Sequence, residues 1–136
     1  PTPIWQALTQ EFAFTIDCCA SADNHLLPRY YTAEDSALTK DWSGETAYVH
    51  PMFDGKIGRF VEKAANTPDF TGVFLIPAST HTKYFHEWIY HNPNAEVRFL
   101  RNPKRGHHFG HDDGTQDEPH KIGYIKPLMI VIFRNQ

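Results

Sequence analysis

Cysteine is scarce in this chain, and the way it is placed limits what it can do. The two cysteines, Cys18 and Cys19, are adjacent. Neighbouring residues on a strand point to opposite faces and almost never bridge each other, so this usage fits a reducing cytoplasm. A large charge of either sign is also missing, with a formal net charge of -3 and a pI near 6.3. There is then no global pull toward nucleic acid, and any polyanion site has to be a local basic patch, for which Arg98, Arg101, Lys104 and Arg105 are the dense candidates. No apolar run approaches the length of a membrane span, and Pro1-Thr2-Pro3 lacks the basic and apolar regions of a signal peptide. Internal repeats and interdomain linkers are absent as well, so residues 1–136 are expected to form one domain with one core. Because the chain opens without a methionine, it is expected to be trimmed, processed or part of something longer.

What the chain does contain is an alternation of helical and strand patterns. Ile4, Trp5, Leu8 and Phe12 have helical spacing, with Thr2 as an N-cap and Pro3 at the first helical position. Phe14 to Cys19 is β-branched and apolar and reads as a strand whose tip carries a carboxylate, Asp17. Residues 20 to 46 read as loops around one or two short helical turns, with an aromatic pair at Tyr30-Tyr31 and an Asp41-Trp42 pair before Gly44. Ala47 to Phe53 is a short buried strand that runs into a turn stiffened by Pro51. Lys56 to Asn66 places Ile57, Phe60, Val61, Ala64 and Ala65 on one helical face. Gly72 to Pro77 is a continuous apolar strand, Thr82 to Tyr90 a helix, and Glu96 to Leu100 and Leu128 to Phe133 are two more strands. Strands alternating with helices predict an α/β fold, a mostly parallel sheet with helices on its faces.

In chain order the motifs are Thr2-Pro3, a strand ending at Asp17, Asn24, Asp41-Trp42, His50-Pro51-Met52-Phe53, Leu75-Ile76-Pro77-Ala78, Tyr84-Phe85-His86-Glu87 and Val131-Ile132-Phe133. In this order and over nearly its whole length the chain resembles the small phage-type DNA adenine methyltransferases. The resemblance implies a reduced Rossmann-like, class I methyltransferase fold that binds S-adenosylmethionine and methylates adenine N6 on an extrahelical base, in a phage or prophage protein working in a bacterial cytoplasm. It also implies a cofactor side formed by Thr2, Pro3, Asp17, Cys18, Asp41 and Trp42, with Asp41 and Trp42 addressing the cofactor's adenine. Each of these residues has a plainer reading beside the functional one. Asp17 can cap the following turn, Trp42 can be a core residue beside a solvated Asp41, and Thr2-Pro3 can simply start a helix.

The catalytic stretch departs from the family, because His50-Pro51-Met52-Phe53 stands where the family has Asn-Pro-Pro-Tyr. The family's Asn and the Pro carbonyl are two acceptors aimed at one exocyclic amine, and together they free its lone pair for attack. A neutral imidazole offers one acceptor nitrogen and a protonated one offers none, so His50 is a poorer orienter. Phe53 keeps an aromatic face for stacking a base, typically worth about 1–3 kcal/mol, without the hydroxyl. Three outcomes follow: an adenine-N6 methyltransferase acting through His50, Pro51 and Phe53 with weakened activity; a catalytically silent module that binds cofactor or DNA in a regulatory or host-blocking role; and an altered acceptor such as cytosine N4.

The long polar loop from Asn102 to Pro127 carries His107, His108, His111 and His120 among acidic residues. Its spacing matches no defined zinc signature, and no metal is assigned. Arg101, Lys104 and Arg105 at its front end resemble the family's basic stretch and are expected to contact DNA phosphates as part of a clamp or flap. At Pro77-Ala78-Ser79-Thr80 the family presents Arg then Thr, and here Ser79 takes the place of the cation. With no separate recognition domain, sequence specificity is expected from loops or from a second subunit in a homodimer.

Overall fold

In the computed structural model, residues 3–20, 26–32, 37–51, 55–101 and 127–136 are described. The order of elements is helix α1 (Pro3–Glu11), strands β1 (Ile16–Ala20) and β2 (Tyr30–Thr32), a 3₁₀ turn (Ala37–Thr39), β3 (Thr46–Val49), helix α2 (Ile57–Asn66), β4 (Phe70–Pro77), a π-helical turn (Phe85–Ile89), β5 (Ala95–Phe99) and β6 (Leu128–Asn135). The strands form one six-stranded sheet in the order β2-β1-β3-β4-β6-β5. The pairs β1–β2, β1–β3 and β3–β4 are parallel, whereas β6 runs antiparallel to both β4 and β5. The chain has the α/β architecture read from its alternating pattern, and the arrangement is compatible with a Rossmann-like methyltransferase fold.

Strand alternation sends successive side chains to opposite faces. Val49, Phe74, Ile76, Met129, Val131 and Phe133 face α2 and both short helical turns, in a core with Phe60, Val61 and Ala64. Tyr48, Val73, Leu75, Ile130 and Ile132 face the other way, against Ile4 and Leu8 of α1. Ile4 and Leu8 lie one above the other because they are four residues apart in a helix, so a two-turn element suffices to cover that face.

Several boundaries differ from the expected ones. The strand expected from Phe14 is ordered as β1 only from Ile16, and β2 occupies residues assigned to loop. The helix expected over residues 82–90 widens into a π-helical turn, in which the Tyr90 N–H donates to Phe85 O at 2.7 Å. The Thr82 hydroxyl accepts from the Phe85 N–H at 3.3 Å at the start of this segment. Among the described residues no helix is long and apolar enough to cross a membrane.

Two features lend themselves to direct tests of stability. A Cβ on Gly72 would lie 2.5 Å and 2.7 Å from two ring carbons of Phe70, which itself stacks on Trp42 at 5.6 Å between centroids. Gly72→Ala therefore forces a buried aromatic off its rotamer and is expected to cost about 1–3 kcal/mol, read as a lower Tm and an earlier denaturation midpoint with unchanged slope.

The second feature is the charged network that joins α1 to the sheet. Arg98 donates to both oxygens of Glu11 at 2.6 Å and to Glu96 at 2.6 Å, while Arg134 donates to Glu96 at 2.7 Å. The Arg98 hydrogen bond, first among the causes, holds both carboxyls below their ordinary 4.5. Since folding lowers these values, the contribution is fully present above pH 4.5 and is lost as pH falls through the lowered folded values. The side chains are partly solvated, so each pair is worth less than about 1 kcal/mol. Arg98→Ala should lower stability at neutral pH by that order and make the acid limb of a stability–pH curve shallower.

Candidate active site

The chain passes from β1 to β2 on one side of the sheet and then returns to lay β3 and β4 on the other, so the order of strands reverses between β1 and β3. In open α/β sheets a ligand sits beyond the carboxyl ends of the strands at such a switch point. Asp17 lies on β1 opposite Tyr48 of β3, and His50 follows one residue after β3 ends. The carboxylate and the imidazole singled out in the sequence are therefore brought together across two adjacent parallel strands.

Asp17 is a buried charge, only 4% exposed. Its two oxygens are held by β1 itself and by the chain beyond it, one accepting from the Cys19 N–H at 3.3 Å and the other from the Leu26 N–H at 3.0 Å. Hydrogen bonding of this kind is what allows a carboxylate to remain inside a protein. A carboxylate has about four acceptor sites, so the two backbone donors among the described residues do not exhaust its capacity for a ligand's hydroxyl or ammonium. The turn-capping reading and the ligand-binding reading of Asp17 are thus compatible.

His50 is half-buried. Burial pushes its imidazole below the ordinary 6.5, and the nearby Asp17 carboxylate opposes that shift. The result is a neutral ring at pH 7, with one nitrogen able to accept. Tyr48, which sequence reading passed over, packs edge-on to His50 at 6.3 Å and to Trp5 at 4.8 Å. Its hydroxyl is pushed far up, first by burial and then by Asp17 and Cys19, so it stays protonated. The signal for Tyr48 was its position two residues before His50 on the same face of a strand. Pro51 is buried directly after His50.

The remaining expected residues are placed differently. Trp42 is fully buried, donates from Nε1 to Ala37 O at 3.0 Å, and stacks on Phe60 and Phe70 at 6.1 and 5.6 Å with Lys63 Nζ 5.0 Å from its ring centre. A cofactor base could stack on this ring only by displacing one of those neighbours, so the core reading replaces the stacking one. Asp41 is exposed and accepts from the Ser43 N–H and hydroxyl at 2.9 and 2.8 Å, bonds that hold its carboxyl below the usual range. The Cys18 side chain is turned into the core among Ile16, Ala47 and Val49, and its thiol is pushed far up by burial, so it offers a ligand no reactive sulfur. Pro3 is exposed in the first turn of α1, and Arg101 is exposed just past β5. Thr2, Phe53, Lys104, Arg105 and the histidines of the long loop lie outside the described residues.

A cleft of about 480 Å³ opens at the start of α2 and is lined among others by Ile57, Gly58, Arg59, Ser79, Thr82 and Tyr84. Its walls come from α2 and the segment after β4, whereas the Asp17–His50 pair lies between β1 and β3. Gly55 also lines this cleft. Among the described residues no group of three or more His, Cys, Asp or Glu side chains could hold a metal ion.

Comparison with known proteins supplies the family of the chain. A protein of Haemophilus phage HP1 (strain HP1c1), named DNA N-6-adenine-methyltransferase, is 25% identical over 129 residues, which covers 88% of this chain and 66% of that protein. The chain thus spans just under two thirds of the length of that relative. The family model described as DNA N-6-adenine-methyltransferase (Dam) matches residues 1–136, the whole chain. On that match the chain belongs to the DNA N-6-adenine-methyltransferase (Dam) family.

Proposed function

We propose that this protein is a DNA adenine-N6 methyltransferase that uses S-adenosylmethionine and works in the cytoplasm of a phage host. The observation that carries this reading is the family match over the whole chain, joined to a buried carboxylate and a neutral imidazole side by side at the sheet's switch point. S-adenosylmethionine, when bound, supplies an electrophilic methyl group on a sulfonium. Asp17 fits that cofactor through the acceptor capacity left after Cys19 and Leu26, and Thr2 and Pro3 would border it at the start of α1.

The chain's part in catalysis is then to hold and orient an adenine swung out of the duplex. His50 accepts a hydrogen bond from the exocyclic amine, the Pro51 carbonyl accepts a second, and Phe53 stacks on the base. Arg101, Lys104 and Arg105 contact phosphates, which position the strand without reading its sequence. Trp42 and Cys18 support the site from within the core, and Asp41 shapes the turn before β3.

Incubating the protein with methyl-labelled cofactor and unmethylated DNA tests this reading. Label is expected on adenine N6, with His50→Ala lowering the rate about 10²–10³-fold, the usual effect of removing one well-placed catalytic hydrogen bond. Label on cytosine N4 would show a changed acceptor. Calorimetric binding of the cofactor without any label transfer would identify a silent binding module instead. Arg101→Ala should weaken DNA binding uniformly across sequences and reduce the slope of log affinity against log salt by about one.

A further inference from the structure

We infer that His50 takes the proton released by the target amine during methyl transfer, and that the Asp17 carboxylate beside it stabilises the imidazolium that results. The inference rests on the methyl transfer proposed above and assigns His50 a different task from the asparagine whose place it holds. An amide accepts a hydrogen bond but does not take a proton at neutral pH, whereas an imidazole does both. In the step, the bond from N6 to the methyl carbon forms while the carbon–sulfur bond breaks, and that electron pair stays on sulfur. The nitrogen, left with one proton too many, passes it to the unprotonated ring nitrogen of the neutral His50. The pair then relaxes by losing the proton to water.

The geometry favours this exchange of roles. Asp17 and Tyr48 are opposite one another on β1 and β3, so Asp17 lies beside the end of β3 from which His50 projects. Backbone N–H groups of Cys19 and Leu26 fix its two oxygens, so the charge is held in place before any ligand arrives. Among the described residues the titratable neighbours are few. β1 contributes Asp17 and Cys19, and β3 contributes Tyr48, kept protonated by burial. β4 runs alongside with Phe74, Leu75 and Ile76, and α1 brings Trp5, none of which titrates. Among the described residues Asp17 is the negative charge that faces the ring, and charge compensation across the strand pair turns a poor orienter into a usable base.

The test combines two readouts. In the first, the ring signals of His50 are followed by NMR over about pH 5 to 8 in the wild type and in Asp17→Asn; removing the negative charge should lower the His50 midpoint by about one pH unit. In the second, the rate of label transfer is measured over the same range. The wild-type rate should fall about tenfold per pH unit below the midpoint seen by NMR, while His50→Gln should give a lower rate without that acid limb. A wild type that transfers label with a flat profile, or an acid limb that persists in His50→Gln, overturns the base role and leaves methyl transfer standing. An unmoved His50 midpoint in folded Asp17→Asn overturns the pairing, and if that variant does not fold, the His50→Gln profile decides alone. No transfer by the wild type at any pH overturns the proposed function and the base role together.

Discussion

The site depends on how β1 and β3 are held side by side, and the central strand pair itself is short. Two residues of β1, Ile16 and Asp17, are in register with Ala47 and Tyr48 of β3. Much of the clamping lies at the other end of the strands. The Thr15 N–H donates to Thr46 O at 2.8 Å, and the Thr15 hydroxyl accepts from the Thr46 N–H at 2.9 Å while donating to Glu45 at 2.6 Å. Arg29 closes the arrangement with a two-pronged pair to Glu45 at 2.9 and 2.8 Å, and its own carbonyl accepts the Asp17 N–H at 3.1 Å. The entry to β2, the start of β3 and the backbone of Asp17 are thereby joined in one network. An exposed ion pair contributes little to stability by itself. Its value here is positional, since it sets the spacing of the two strands on which Asp17 lies opposite Tyr48 and from which His50 follows.

The two faces of the sheet divide the labour. On the α2 side the packing is aromatic and deep, with Trp42, Phe60, Phe70, Phe74 and Phe133 buried together. On the α1 side a thinner layer of Trp5, Phe12 and Phe14 lies over Tyr48, with Trp5 and Phe14 stacked at 5.4 Å. The titrating groups of the site project toward this thinner side. A charged or hydrogen-bonding ligand is accommodated more cheaply where the covering layer is one short helix than where it would have to open an aromatic core.

The elements most legible in the sequence were those with strong periodicity. Ile57, Phe60, Val61 and Ala64 defined α2, and the unbroken apolar runs of β4 and β6 defined buried strands whose positions match the structure. Periodicity carries no direction, so nothing in Leu128–Phe133 announced that β6 would run against its neighbours. β2 escaped because its three residues are all half-buried, which leaves no in-out alternation to read. Trp42 was open to two readings because an aromatic beside an acidic residue has the same local pattern in a core and in a ligand pocket. Only the surrounding rings of Phe60 and Phe70, distant in sequence, decide between them. Asp17 and His50 were both picked out as strand-end groups, but their adjacency required the strand order, a property of the whole sheet.

That strand order also bears on how the protein is made. β6 leaves the ribosome after both β4 and β5, yet it sits between them, and β5 is paired with no other described strand. A nascent chain that has emerged only as far as β5 has no partner for that strand and presents β4 with one side bare. Long-range pairing of this kind delays folding, because the chain entropy of closing the loop must be overcome before the contacts form. The sheet, and with it the layer that covers Tyr48, can close only after synthesis has passed residue 128.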